Sequence, residues 1–478
     1  MLNYFPKFFT EKAIYIYFAS LLACIVIFFK HTMGWYFYLF GIAEVFLFFH
    51  FANVLTKKWS GYSDKFFSKK LFNTALVIRI CYVIFSYFFY KIVTGQPFEF
   101  ISMDAIGYHG TALGIVQNGF THELKYIDSS DQGYPAYLGF IYKYLGFVKL
   151  DETGVLSGSY GHTVMIARLI KALLGAYTVL LMYRLGSRTF GENAGRIGAI
   201  LCMIFPNLIF YCGLHVKEVE MLFIAVFFLE RVDAMLRLGK YTVMTIAPPV
   251  LAIIAMFFLR VPLGAVLLLS VITAILFSSK RVVNWKQKII VGVWTLAVLA
   301  YFIGGKVMMD VEQTWEGRND AQTSSMQWRA IRKGGNKFVK NLSGAVFAPM
   351  IFAIPFPTVI NTPSQDNQRL IHGGNFDKNI MAFFTMFSLF MIIKRKEWRK
   401  YILVGSYMIG YLMVIAFSPF AQSERFHYPA LPFILMFAAY GISLCTDKTK
   451  KYFNIYSILM IFIVIGWSWF KLAGRGMA

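Results

Sequence analysis

Long, uninterrupted apolar runs constrain this chain more than any other feature. Three lie within the first ninety residues, at 13–29, 36–55 and 71–90. Each is close to the roughly 20 residues that a helix needs to cross about 30 Å of hydrocarbon. Because backbone N–H groups inside lipid must be bonded within their own segment, we expect helices here rather than strands. The sequence therefore predicts an all-α polytopic membrane protein. The first run lacks a small-residue cleavage site and is followed at once by a second run, so we do not interpret it as a cleaved signal peptide.

The composition agrees with this interpretation and excludes one class of partner. Hydrophobic residues make up 58% of the 478 residues and charged residues only 15%, against roughly 45–50% and 25% in soluble chains. A formal charge of +23 would suit a nucleic-acid-binding protein. The basic residues, however, cluster in short connections between apolar runs, as they do in cytoplasmic loops, so we expect no nucleic-acid partner. The five cysteines lie in apolar runs without disulfide or metal spacing, and we interpret them as packing residues.

The length rule gives about thirteen membrane spans. They are placed at 13–30, 35–55, 71–93, 162–184, 197–213, 219–236, 242–259, 263–279, 288–304, 378–393, 401–417, 428–445 and 454–471. Basic clusters follow every even-numbered span, which places those loops and the N-terminus in the cytoplasm. Lys471 and Arg475 run against this pattern and leave the late count open. We expect an integral protein of the bacterial inner (cytoplasmic) membrane, with its reaction centre facing outward.

This topology divides the chain into four regions. They are a two-span N-terminal addition (1–70), a transmembrane module (71–304) with an outer loop at 94–161, a large outer loop (305–377), and C-terminal transmembrane helices (378–478). Within the first loop, 134–147 is apolar but short, and we expect an interfacial helix lying on the membrane. Within the second loop, 345–357 is too short and proline-rich to span, and we expect it to dip into the membrane surface.

Charged and aromatic residues that are scattered in sequence gather on the outer side in this topology. They are Asp104, Tyr108 and His109 in the first outer loop, Arg168 near the outer end of span 4, Lys217 and Glu218 between spans 5 and 6, Arg260 at the end of span 7, and Glu424 and Arg425 between spans 11 and 12. Ionisable groups at membrane depth are costly and usually face a cavity or a partner. Carboxylates and cations around one outer cavity indicate group transfer on an anionic, lipid-borne substrate.

The chemistry assigns roles to these residues. An acceptor hydroxyl that attacks an activated sugar must lose a proton, and Asp104 is the candidate base. A leaving lipid phosphate gains negative charge in the transition state and needs cations around it. Lys217, Arg260 and Arg425 are the candidate phosphate partners, with Arg168 behind them.

Each of these residues also has a plainer interpretation. Asp104 could be a solvated loop acid, and Arg168 and Arg260 could extend to lipid headgroups. Lys217 and Glu218 could be a helix-start pair at the membrane interface. Tyr108 and His427 could be belt residues at that interface. Glu424 and Arg425 could form a surface ion pair of almost no energetic value. His109, His122 and His162 have no recognisable metal-site spacing, so no metal is firmly predicted and a divalent ion stays open.

Three stretches resemble the GT-C-fold glycosyltransferases, the superfamily of the protein O-mannosyltransferases and the bacterial aminoarabinose transferase that modifies lipid A. They are MDAIGYHGTALGI (103–115), the block from Ala167 to Phe223, and SERFHYPALPFILM (423–436). The resemblance implies inverting transfer of a sugar from a polyprenyl-phosphate-linked donor, and a seven-span module at spans 3 to 9. It makes Asp104 the acceptor-activating carboxylate, Glu218 the second acid and Lys217 a donor-phosphate contact.

The chain departs from that family in three places, one of which is that His215 and Val216 precede Lys217, the basic residue before the second acid. Asp104 follows the third span rather than the first, and Ala105 stands where mannosyltransferases commonly carry a second acid. The identity of the sugar therefore stays open, as does that of the acceptor, which could be a glycan, a lipid or a protein.

Two other functions remain in competition. A polysaccharide polymerase or O-antigen ligase would use a diphosphate-linked glycan, and the basic residues of the second outer loop favour it. They are Arg318, Arg329, Arg332 and Lys333. A transporter or flippase of lipid-linked glycans would carry ionisable residues near the midplane and inverted repeats, whereas the charges here lie at outer ends.

Overall fold

The computed structural model describes residues 2–100, 102–125, 132–145, 149–150, 156–157, 160–238, 242–278, 350–362, 365–418 and 421–474, with six residues between 285 and 293 and residue 477. The described chain is helical apart from a two-residue antiparallel pair, β1 (Lys149–Leu150) and β2 (Leu156–Ser157). The predicted all-α class is confirmed for these residues. The helices are α1 (Lys7–Ile27), α2 (Trp35–Trp59), α3 (Asp64–Thr94), α4 (Met103–Asn118), α5 (Phe120–Leu124), α6 (Gly133–Tyr144), α7 (Tyr160–Phe190), α8 (Glu192–Ile204), α9 (Pro206–Phe210), α10 (Glu218–Leu238), α11 (Val243–Leu259), α12 (Val261–Phe277), α13 (Asp366–Leu370), α14 (His372–Lys394), α15 (Ile402–Ala416), α16 (Glu424–His427), α17 (Leu431–Ser443) and α18 (Asp447–Ala473).

The membrane helices follow the apolar runs closely. A helix covers most of each predicted span except the ninth, 288–304, which lies almost entirely outside the described residues. Seven helices in the described part are long and apolar enough to cross a membrane, or eight if the bent pair α8–α9 counts as one span. The chain is thus an integral membrane protein. The predicted count of thirteen is not confirmed, because α11, α12 and α15 have only 15 to 17 residues.

Local signals fix several helix ends. Thr242 and Thr446 each form a capping box with a threonine three residues on, which satisfies free N–H groups at the start of α11 and α18. Gly95 ends α3 at φ 77°, a left-handed conformation that glycine adopts without steric cost. Pro206 separates α8 from α9, which meet at 55°. Since proline lacks an N–H and clashes with the preceding turn, the span bends there, just before the loop that leads to Glu218.

The N-terminal pair packs into the rest of the molecule. Helix α1 contacts α2 and α18, and α2 contacts α8 and α14. Gly41 of α2 allows a close approach, because a Cβ there would lie 2.2 Å from the His372 ring and 2.3 Å from the Tyr17 hydroxyl. Those two side chains are themselves hydrogen-bonded at 2.8 Å. Residues 1–70 therefore form part of the packed core, and the domain boundary at 70 stays a prediction.

The two outer-loop segments behave differently from each other. Helix α6 falls within the predicted interfacial segment and packs on α4, with Leu138 buried and Phe140 exposed. Residues 350–360, in contrast, lack a regular helix and are almost all buried against protein. Their carbonyls accept hydrogen bonds from Lys378 and Asn379 of α14. Irregular backbone at membrane depth requires such internal partners.

Candidate active site

The Arg425 guanidinium joins two acids that are more than a hundred positions apart in sequence. Arg425 donates from Nη1 to the Asp104 carboxylate and from Nε to the Glu218 carboxylate. The Asp104 side chain is 55% exposed, that of Arg425 26% and that of Glu218 1%. The exposed acid is therefore open to a substrate, whereas the buried acid holds the arginine from behind.

The fold delivers these groups at the ends of helices. Asp104 lies in the first turn of α4, Glu218 in the first turn of α10, and Arg425 in the short α16. Carboxylates near a helix N-terminus interact favourably with its unbonded N–H groups and dipole. The sequence thus places both acids where the backbone stabilises their charged forms.

A polar cavity of about 200 Å³ adjoins this cluster. Three carboxylates, those of Glu99, Asp104 and Glu424, contribute to its wall together with Arg425. The remaining wall residues are Ser102, Met103, Phe210, Tyr211, Leu214, Val216, Asn367 and Ser423. Residues from the first outer loop, the α9–α10 connection and the late outer junction therefore meet, as the topology predicts.

Glu99 lines the cavity, and Arg168, which does not line it, lies close enough to Glu99 for their charges to interact. Burial raises the pKa of Glu99, and the nearby Arg168 charge opposes that rise. Arg168 is fully buried and donates from Nη2 to the Pro97 carbonyl. Its Nε and Nη1 have no hydrogen-bond partner among the described residues. Two buried donors on one guanidinium suit an anionic ligand group.

Lys171 anchors the loop that precedes Glu218. Its amine donates to the carbonyls of Leu214, at 2.9 Å, and Val216. It also lies 3.7 Å from the Glu220 carboxylate, and both side chains are buried. Because both carbonyls belong to the α9–α10 connection, Lys171 fixes the backbone that starts α10.

A buried chain of hydrogen bonds ties α4 to the same connection. His109 Nδ1 lies 2.7 Å from the Tyr142 hydroxyl, which lies 3.0 Å from His215 Nε2. Burial lowers the pKa of His109 to about 4, and burial with the nearby cations Lys171 and Arg168 lowers the pKa of His215 well below its usual value. Both rings are therefore neutral near pH 7, and they connect the helix that carries Asp104 to the loop that precedes Glu218.

The other predicted residues surround the cluster. Lys217 lies over the Tyr108 ring, with Nζ 5.8 Å from its centroid. Arg260 stacks on Phe426, the neighbour of Arg425, at 4.4 Å, and is not among the residues that line the cavity. Glu424 forms part of the cavity wall and is not ion-paired with Arg425, which instead bridges the two more distant acids.

The described residues contain no group of three or more His, Cys, Asp or Glu side chains placed to hold a metal ion. His109 is hydrogen-bonded to Tyr142, whereas His122 lies beside Glu123 on α5. These two candidate histidines therefore do not meet at one site. Arg425 binds both Asp104 and Glu218, so a guanidinium bridges this carboxylate pair.

A separate apolar groove of about 400 Å³ lies between α2, α3 and the α8–α9 bend. Phe210 lines both this groove and the polar cavity, so the two spaces are neighbours. The groove wall is otherwise aromatic and aliphatic, apart from Glu44, Ser86 and the exposed thiol of Cys81.

Comparison with known proteins gives a distant likeness to solved structures. No family model and no curated protein matches the chain. Among solved structures, the chain is similar to the archaeal oligosaccharyltransferase AglB from Archaeoglobus fulgidus, solved in complex with an inhibitory peptide and a dolichol-phosphate. The identity is 14% and the TM-score 0.47, over 86% of this chain and 56% of that one. At these values the likeness assigns neither residues nor a reaction to this chain.

Several residues of this region were not singled out from sequence. Tyr142 and Asn367 carry no charge and follow no motif, so no pattern marked them. Glu99 is one of several acids in the first outer loop, and its position soon after span 3 is the one sequence signal that sets it apart from them.

Proposed function

We propose that this chain is a GT-C-type membrane glycosyltransferase that moves a sugar from a polyprenyl-phosphate donor to an acceptor on the outer side of the membrane. The observation that carries the proposal is the bridge of Arg425 to Asp104 and Glu218 beside a polar cavity. The base, the second acid and a phosphate partner inferred from sequence lie in direct contact there.

Asp104 is the general base of this proposal. Its carboxylate accepts the proton of the acceptor hydroxyl as that oxygen bonds to the anomeric carbon. The bond between this carbon and the phosphate oxygen breaks, and the electron pair leaves with the lipid phosphate. A single displacement of this kind inverts the anomeric centre. Arg425 orients Asp104 through its hydrogen bond, and the buried Glu218 carboxylate holds Arg425 in place.

Cations around the cavity stabilise the leaving phosphate. Arg425 lies in the cavity wall, and Arg168 has two buried donors without partners in the described chain. Lys217 and Arg260 lie at the edge of the cluster, over Tyr108 and Phe426. Charge-assisted hydrogen bonds that strengthen as charge develops on the phosphate lower the barrier.

The lipid part of the donor fits the apolar groove. The groove is walled by apolar side chains of α2 and α3 and meets the polar cavity at Phe210. A donor with its phosphate in the cavity and its isoprenoid chain in the groove would place its charged group beside Arg425 and its apolar chain against apolar side chains.

Replacement of Asp104 tests the proposal. In proteoliposomes supplied with polyprenyl-phosphate sugar and membrane acceptors, Asp104→Asn should abolish formation of polyprenyl phosphate without lowering the amount of folded protein. Asp447→Asn, an exposed acid at the start of α18, should retain normal transfer. Normal transfer by Asp104→Asn would refute the base assignment.

The outward orientation and the bacterial inner membrane belong to the same proposal. A cysteine placed at 104 should react with a membrane-impermeant maleimide added outside intact cells, and a cysteine at 394 should not. The reverse pattern would overturn the orientation. The polymerase or ligase alternative depends on Arg318, Arg329, Arg332 and Lys333, which lie outside the described residues.

A further inference from the structure

Arg425 lies in the first turn of a longer helical stretch. Helix α16 passes without a break through a 3-10 turn at Tyr428–Ala430 into α17. Because the N–H groups of a first helical turn have no intrahelical partners, contacts with neighbouring elements also hold it in place. Two of them hold Phe426, whose carbonyl accepts a 3.0 Å hydrogen bond from Tyr411 and whose ring stacks under Arg260.

A third and deeper anchor is a buried pair, Lys378 and His427. Lys378 Nζ lies 2.9 Å from His427 Nδ1, and both residues are 2% exposed. His427 Nε2 lies 2.8 Å from the Ala421 carbonyl. A carbonyl only accepts, so Nε2 carries the ring proton. Two cations at 2.9 Å would repel strongly, so the ring is neutral and Nδ1 accepts from Lys378.

This arrangement links three parts of the chain. Lys378 also donates to the Ile354 carbonyl in the buried irregular segment 350–360. His427 closes the turn from Ala421 to α16 through its second nitrogen. The pair therefore connects α14 and the 350–360 segment to the turn that presents Arg425. A polar contact of this kind in a buried site is costly to break, because each partner would be left unsatisfied.

We propose that Lys378 and His427 are positioning residues that hold Arg425 between Asp104 and Glu218, an inference that rests on the proposed function for its catalytic consequence. Neither residue touches the cavity wall. Their effect on the reaction passes through the position of one guanidinium. Removal of the contact should leave the fold in place and allow the 421–427 turn to move.

Hydrogen exchange on the purified full-length protein tests the positional claim without any substrate. Lys378→Met keeps the length of the side chain and removes its donors. Amides of 421–427 should exchange about tenfold faster, as expected for loss of a buried hydrogen bond, while α2 and α7 keep their wild-type protection. Lys394→Met, at the exposed end of the same helix, is the matched control and should change nothing in that turn.

Two substitutions at His427 separate hydrogen bonding from packing. Glutamine offers an amide donor for Ala421 and a carbonyl acceptor for Lys378, so His427→Gln should keep exchange near the wild-type rate. Leucine offers neither, so His427→Leu should match Lys378→Met. Equal behaviour of the two His427 variants, unchanged exchange in Lys378→Met, or uniformly faster exchange throughout the protein would each overturn the proposal.

Transfer kinetics test the consequence for catalysis. Lys378→Met should lower kcat about tenfold with little change in KM for the donor, because the interaction lost is one that orients the transition state. On an Arg425→Met background it should cause no further loss. Failure of the wild-type protein to transfer sugar would refute the proposed function, while the exchange data would still decide the positional claim.

Discussion

The two arms of the Arg425 bridge should differ greatly in energy. Arg425→Met removes the positive charge and leaves Glu218, whose side chain is 1% exposed, without its ionic partner. Breaking a buried pair by removal of one partner costs about 3–5 kcal/mol. Asp104→Asn breaks the other arm, where the acid is 55% exposed. Exposed pairs contribute about 1 kcal/mol or less. We therefore expect a severe loss of stability in the first variant and almost none in the second.

Chemical unfolding of the purified variants in one detergent measures this difference. The free energy of unfolding should fall by about 3 kcal/mol or more for Arg425→Met, and Glu218→Gln combined with it should restore much of the loss, because no buried charge then remains unpaired. Equal losses in Arg425→Met and Asp104→Asn would refute the assignment of Glu218 as the buried anchor. So would a double variant less stable than Arg425→Met alone.

Three further predictions follow from the described contacts. First, burial holds the folded pKa of His109 at about 4, below its ordinary value of 6.5, so the unfolded chain takes up the proton first and stability should fall as pH drops from about 6.5 to about 4. His109→Gln should show a shallower decline in unfolding free energy between about pH 7 and pH 5, and an unchanged slope would contradict the burial of that ring. Second, Gly41→Ala should lower the unfolding free energy by about 1–3 kcal/mol through clashes with His372 and Tyr17, whereas Gly466→Ala, with open space around it, should not lower it. Third, Cys81→Trp should fill the apolar groove. In native mass spectrometry it should weaken binding of long-chain polyprenyl phosphate more than binding of a short-chain analogue. Equal effects on both ligands would argue against a lipid chain in the groove.

Much of the fold was predictable because a membrane limits the choices of the chain. Length and hydropathy located nearly every described membrane helix, including α1, α3 and α18, since a spanning segment must be apolar and helical. The number of membrane spans was harder to predict from the sequence. Helices such as α11 and α15 are apolar but too short for hydropathy to decide whether they cross or end inside the protein.

Topology also predicted that Asp104, Glu218 and Arg425 would meet. The charge bias of the loops placed three distant junctions on the outer side of the membrane. The helix ends converge there and bring the three side chains into contact. The pairing itself was not predictable: the sequence suggested Glu424 as the neighbour of Arg425, and the structure shows Arg425 bound to the two more distant acids.

Sequence patterns did not predict the contacts of uncharged residues or the contacts between residues far apart in the chain. The Tyr142 link between His109 and His215 depends on how α6 packs on α4, which no periodicity encodes. The Lys378–His427 pair joins residues that each look like an ordinary span-end cation or belt residue.

An experimental structure of the full chain with bound polyprenyl phosphate would address the proposed donor site most directly. The phosphate should lie within hydrogen-bonding reach of Arg425, with its isoprenoid chain passing Phe210 into the groove between α2 and α3. A phosphate bound instead at the opposite end of the helices, beside Arg188 and its acidic partners Glu230 and Asp233, would contradict the account.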